Sequence, residues 1–176
     1  MMSELNTILC GSLKFMVYKV SSSSKEKLLN YILNDEKGTK CDDKNQKISK
    51  QNWTSGNGGD FVDILHEYVL NDLIESIFEL SNLRLSLDNA WYQVYEDEDD
   101  YHHFHLHENV FISSVLYLEL DDKKLVTEFI DPKNDEIIQP SVDEGEGILF
   151  GPQIFHRSTY HPKNKRKTII SFNLNL

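Results

Sequence analysis

The chain has 176 residues, 39% hydrophobic and 27% charged, a length and balance that fit one domain and exclude a membrane-embedded or wholly disordered protein. Lys and Arg number 18 against 29 Asp and Glu, a formal net charge of -11 that repels phosphate backbones and anionic lipid, so nucleic-acid and membrane partners are not expected. Cys10 and Cys41 make neither a zinc spacing nor a disulfide framework, and without an apolar leader core or a long uncharged run the chain reads as cytoplasmic.

Residues 7–20 are rich in β-branched, aromatic and apolar residues and read as one or two strands. Ser21 to Ser24 form a polar cap region for a short helix with Leu28, Leu29, Ile32 and Leu33 on one stripe, ending near Gly38. Residues 35–60 are dominated by Asn, Asp, Lys, Gly and Ser around Trp53 and read as a long loop: a lid, a binding loop or a disordered segment. Asp60 can cap a helix over about 61–80, striped by Phe61, Ile64, Leu65, Tyr68, Leu73, Ile77 and Phe78. From Leu83 onward short apolar or alternating runs follow at 84–95, 110–120, 125–130, 147–151, 154–160 and 167–175, separated by turn-type clusters. The fold class is therefore mainly β with N-terminal helices: residues 1–82 buttress an all-β sandwich or barrel over 83–176, in one compact domain. The acidic run Glu96 to Asp100 reads as a solvated loop.

Six of the seven histidines lie between 102 and 161. If YHHFHLHE is extended, His103, His105 and His107 share one face and His102, Phe104 and Leu106 the other. Neutral imidazole is the commonest transition-metal ligand, and two on one strand face can chelate one ion. His156, after a Gly-Pro turn and an apolar run, is the best third ligand; His161 reads as a loop residue and His66 as a helix residue without a role in the site. In the last strand Arg166 shares a face with Thr168, Ile170, Phe172 and Leu174, and that apolar face is taken as the inward one. An inward guanidinium needs an anion: a bidentately held ligand carboxylate, or one of the protein's own acids. Tyr117, on a strand apolar on both faces, needs a partner for its hydroxyl, which a ligand carboxylate or the core can supply.

Taken in order, Trp91, HLH at 105–107, SSVLY at 113–117, DP at 131–132, GILFGP at 147–152, His156 and RKTIISFN at 166–173, with NWTS at 52–55, resemble the 2-oxoglutarate- and Fe(II)-dependent oxygenases. The likeness covers about residues 50–176 and is strongest to the oxygenases of bacteriophages and marine bacteria, with prolyl-hydroxylase-like features. It implies a double-stranded β-helix (a cupin-like jelly roll), Fe(II) held by His105, His107 and His156, and 2-oxoglutarate held through its distal carboxylate by Arg166 and Tyr117, with Tyr95 as either a further cosubstrate contact or a core aromatic. The implied activity is a dioxygenase hydroxylating an unactivated C–H bond of an amino-acid side chain in a peptide or protein, or of a small molecule; an acidic rim from Glu96 to Asp100 would favour a basic peptide. His107 departs from the family, since many relatives have Asp or Glu there; three imidazoles leave the site one positive charge higher. Glu108 is adjacent but points to the other face unless a bulge redirects it, and His103 with His105 is a second ligand pairing. The alternatives are a cupin-type metal-binding protein or dioxygenase that does not use 2-oxoglutarate, and a non-catalytic binding module of the same fold.

Overall fold

The computed structural model describes residues 5–55 and 59–176, and only the backbone of Thr54 and Ser55, so half of the NWTS segment lies outside the described side chains. Among the described residues, twelve strands pair antiparallel in one sheet that curls into a nearly closed barrel. β1 (Asn6–Cys10) and β2 (Leu13–Lys19) form an edge hairpin. The order then runs through β10 (Glu146–Phe150), β7 (Ile112–Leu120), β12 (Lys167–Asn175), β5 (Ser86–Tyr95) and β4 (Gln46–Ser55). It continues through β6 (Tyr101–His105), β11 (His156–Ser158), β8 (Glu128–Ile130) and β9 (Ile137–Ile138), while β3 (Thr39–Asp42) pairs β4 from outside this path.

The two edges meet across the β1–β2 turn. Ser12 donates its backbone N–H to Asp131 Oδ2 at 2.6 Å and its hydroxyl to Oδ1, and the Cys10 thiol donates to the Gln139 carbonyl. Gly11 is required there twice over: its φ is +58°, and a Cβ would clash with Asp131 Oδ2.

Helices cover the outer face of the large part of the sheet. α1 (Ser22–Asn34) begins at Ser21, whose hydroxyl accepts the Ser24 N–H at 3.0 Å. The second helical stretch comprises α2 (Asp60–Leu65), a π turn (His66–Leu70) and α3 (Asn71–Ser81), ended by Asn82 in the left-handed region. Asp60 is the first helical residue, where its charge favours the helix dipole, rather than the cap.

Two apolar clusters result. Leu28, Ile32, Leu65, Leu70 and Leu73 of the helices pack on Tyr92, Leu116, Leu118, Ile170, Phe172 and Leu174 of the sheet. Phe15, Ile48, Tyr95, Tyr117, Phe129, Ile148, Phe150 and Ile169 fill the barrel. Both faces of the central strands are thus covered, as the doubly apolar pattern of residues 110–120 requires.

The polar segment expected to be a loop is largely a hairpin of β3 and β4, its residues 56–58 lying outside the described ones. Asp43 Oδ1 accepts the N–H groups of Asn45 and Gln46, closing a tight turn between β3 and β4, and β4 pairs β5 across Lys50–Ser55. The N-terminal region therefore supplies strands to the barrel wall itself.

Candidate metal centre and its cavity

The inner faces of β5, β6, β11 and β12 converge on one site. The ligand atoms of His105, His107 and His156 all lie within 4.8 Å of one another. His105 Nδ1 lies 2.9 Å from the His103 carbonyl, and His156 Nδ1 lies 2.9 Å from that of Ile154. A carbonyl only accepts, so each Nδ1 carries the proton and each Nε2 presents a lone pair. His107 Nε2 is 3.3 Å from His156 Nε2, and the Asn173 side chain hydrogen-bonds the His107 ring. Such outer partners set ring orientation at metal sites. The Asn173 carboxamide is fixed in turn, accepting from the Ser113 hydroxyl and donating to Asn89.

Burial drives the histidines toward the neutral form. His107 is brought down to about 4 and His156 well below its ordinary value, first by desolvation and then by the neighbouring imidazoles; desolvation also lowers His105. This donor set of neutral imidazoles suits a first-row transition metal.

β6 does not alternate as a regular strand. Its register against β11 shifts between the His156–His105 and Ser158–His102 pairs, a bulge that turns His102 inward and leaves His103 exposed. His102 stacks on His105 with ring centroids 3.9 Å apart and is brought down to about 3, again first by desolvation. The expected face of His103, His105 and His107 is therefore corrected to His102, His105 and His107. Glu108 is exposed and outside the ligand group. His161 is buried but bonded to the Lys165 carbonyl, and His66 faces Asn71 on the helical side.

The expected inward Arg166 is also corrected. Its guanidinium donates through Nε and Nη2 to the Glu119 carboxylate, both at 2.6 Å, and it does not line the site. Thr168 joins the same carboxylate. The reason is that Ile170, Phe172 and Leu174 face the helices, so the more polar face of β12 lines the barrel: Lys167, Ile169, Ser171 and Asn173. Lys167, which sequence reasoning missed, is 1% exposed. Its Nζ donates to the Leu125 carbonyl at 2.8 Å and the Ser158 hydroxyl at 2.6 Å, and stands 4.7 Å from the Tyr95 ring centroid. No carboxylate among the described residues pairs with it, and desolvation lowers it to about 7.

Tyr95 lines the site, its hydroxyl donating to Gln93 at 3.0 Å. Tyr117 is fully buried in the barrel, its hydroxyl accepting the Thr127 N–H at 3.1 Å, and it does not line the site. An outer cavity of about 720 Å³ opens over the histidines between β4, β5 and β6, and a narrow inner one of about 20 Å³ continues toward Tyr95, Thr127 and Ser158.

No family model matches the sequence, and no curated protein matches it. Solved structures do. A Pseudomonas putida prolyl-4-hydroxylase superposes with a TM-score of 0.68 at 12% identity, covering 92% of each chain. A Trichoplax adhaerens prolyl hydroxylase in complex with a hypoxia-inducible factor peptide gives 0.67 at 14%, covering 92% of this chain and 83% of the other. The viral collagen prolyl hydroxylase of Paramecium bursaria Chlorella virus-1, in complex with 2-oxoglutarate, gives 0.58 at 13%, covering 91% and 94%. The chain therefore has the fold of the 2-oxoglutarate/Fe(II) oxygenases.

Proposed function

We propose that the protein is an Fe(II)- and 2-oxoglutarate-dependent dioxygenase on a double-stranded β-helix, with His105, His107 and His156 as the metal ligands. The observation that carries this reading is a pairing inside one barrel: three imidazoles with converging ligand atoms, and the buried Lys167 amine, with which no carboxylate among the described residues pairs. A buried charge without a counterion is costly, and an anionic ligand removes that cost. Lys167 takes the role first given to Arg166, holding the distal carboxylate of 2-oxoglutarate, with Tyr95 and Ser158 beside it. Tyr117 supports that end of the pocket through Thr127, which lines it.

The inner cavity is too narrow for a five-carbon diacid as its side chains stand, so binding requires movement. His102 lines both cavities and makes no side-chain hydrogen bond among the described residues, which makes it the side chain to swing outward.

Iron in this site supplies oxygen activation. The chain's own residues supply the rest: Lys167 orients the cosubstrate, the backbone carbonyls of His103 and Ile154 hold two ligand rings, Asn173 holds the third, and Phe129 and Phe150 wall His156 from water. The balanced reaction is R–H + O2 + 2-oxoglutarate giving R–OH + succinate + CO2. The carbon oxidised belongs to an amino-acid side chain or a small molecule entering through the outer cavity. The acidic run does not form the expected rim: Asp97 pairs with Lys40 and Asp100 is turned inward, which leaves Glu108 as the one carboxylate among the described residues lining that cavity. In the cupin alternative a carboxylate completes the ligand set, and the ligand group here contains none.

Anaerobic addition of 2-oxoglutarate to the Fe(II)-loaded protein tests the reading. A visible charge-transfer band, followed by succinate on admitting oxygen, is expected; no band and no succinate would overturn it.

A further inference from the structure

The outer cavity is chemically unusual for its size. Six carboxamides, Asn45, Gln46, Gln51, Asn89, Gln93 and Asn173, line it from three strands and a turn, and no lysine or arginine among the described residues does. Beside them stands an indole platform. Trp53 is 57% exposed and stacks on Trp91 with centroids 4.2 Å apart and planes at 20°, and Trp91 stacks in turn on the metal-side His107 at 5.5 Å and 19°. Trp91 is buried between its two neighbours, so the open surface of the stack belongs to Trp53.

Each feature constrains the ligand. An anionic substrate would be desolvated with no Lys or Arg among the described lining residues, against a chain of net charge -11. A cationic one would meet Glu108 alone, at the rim. Asn89 and Asn173 are bonded to each other and to Asp88 and Ser113; the carboxamides of Asn45, Gln46, Gln51 and Gln93 offer donors and acceptors that complement groups that both donate and accept, as hydroxyls do. The indole face attracts the weakly positive C–H face of a saturated ring. A peptide recognised as an added strand needs a free strand edge, but β4 is hydrogen-bonded to β3 and β5, and β5 to β4 and β12. The His103 and His107 N–H groups at the mouth are also spent, on the Asn45 and Pro152 carbonyls.

Resting on the oxygenase reading for the fate of the bound molecule, we infer that the outer cavity receives an uncharged, polyhydroxylated ring, a glycosyl unit, seated on Trp53 and hydrogen-bonded by the carboxamides of β4 and β5. Trp91 stands between Trp53 and His107, so a ring seated on the open face of Trp53 occupies an outer subsite, and the carbon oxidised belongs to a more inward part of the same molecule.

Saturation-transfer NMR on the full chain loaded with Zn(II) and 2-oxoglutarate tests this, with methyl β-glucopyranoside, methyl β-xylopyranoside, a neutral proline-containing tripeptide and a lysine-rich peptide as probes. Transfer to the ring C–H protons of a glycoside is expected, reduced about fivefold or more by Trp53→Ala at unchanged melting temperature and kept by Trp53→Phe. Stronger transfer to either peptide, no transfer to any glycoside, or no effect of Trp53→Ala overturns the inference. The 2-oxoglutarate signals report separately: glycoside contact without cosubstrate contact sinks the oxygenase reading and leaves the glycosyl site standing.

Discussion

Lys167 and Arg166 are neighbours with opposite surroundings, and that contrast separates a binding residue from a structural one. Lys167 has no counter-charge among the described residues, so Lys167→Met removes a buried amine whose absence leaves stability equal or higher, while cosubstrate affinity falls by about 2–5 kcal/mol, some thirtyfold or more. Calorimetric titration with 2-oxoglutarate beside a thermal melt checks both halves, and equal losses in the two would mark Lys167 as structural. Arg166→Ala, by contrast, breaks a half-exposed ion pair with Glu119 and is expected to leave cosubstrate affinity within about twofold while costing at most about 1 kcal/mol. The pH dependence follows from Lys167. Its folded-state value, about 7, lies below the ordinary 10.5, so between those values the unfolded chain holds a proton that the folded one has released, and stability rises with pH across that window. Carboxylate binding needs the proton back. Cosubstrate affinity should be flat below pH 7 and fall about tenfold per unit above it, with proton uptake visible as a buffer-dependent binding heat. The groups facing the ammonium are the Leu125 carbonyl, the Ser158 hydroxyl and the Tyr95 ring, with Glu128, already paired to Arg157, acting at longer range. The histidine trio was legible in the sequence because period-two spacing survives from 105 to 107. His102 was hidden by the bulge, and Lys167 by the choice of which face of β12 points inward.

At the scale of elements, periodicity found the helices and the apolar strands, but the β3–β4 hairpin escaped it. One face of β4 lines a polar cavity with Gln51 and Trp53, and the other binds the helix end, where Lys50 donates to the carbonyls of Ile32 and Leu33. With so little apolar surface to bury, apart from Ile48, the strand reads as a loop. The acidic run between β5 and β6 was likewise read as solvated, yet its last residue ties three strands together. Asp100 Oδ2 accepts from the N–H and hydroxyl of Ser49 on β4 and from the N–H groups of Glu96 and Asp97 after β5. Asp100→Ala strands those donors in a buried site, and a loss of about 2–4 kcal/mol is expected in urea denaturation. A loss under about 0.5 kcal/mol would show the junction to be held by something else.

For the whole molecule, the site exists only when the sheet curls, because its parts lie on β5, β6, β11 and β12, and the ends of the sheet meet through Ser12 with Asp131 and Cys10 with Gln139. The fold class was legible because short strands with two apolar faces require cover on both sides; the closure was not, since it depends on one carboxylate reaching a turn 119 residues away in sequence. Ligands that need the assembled site must then stabilise the entire chain. Metal at about a hundredfold over its dissociation constant adds about 2.7 kcal/mol, and cosubstrate adds a second increment of similar size on top of it. Thermal melts with Zn(II) alone, and with Zn(II) plus 2-oxoglutarate, should therefore rise in two steps. His156→Ala removes a ligand and should abolish both steps, whereas Lys167→Met should keep the metal step and lose only the cosubstrate step. If 2-oxoglutarate stabilised the metal-free protein as much as the metal-loaded one, the diacid would be binding away from the histidines, because a cosubstrate that chelates the metal cannot gain its full affinity without it.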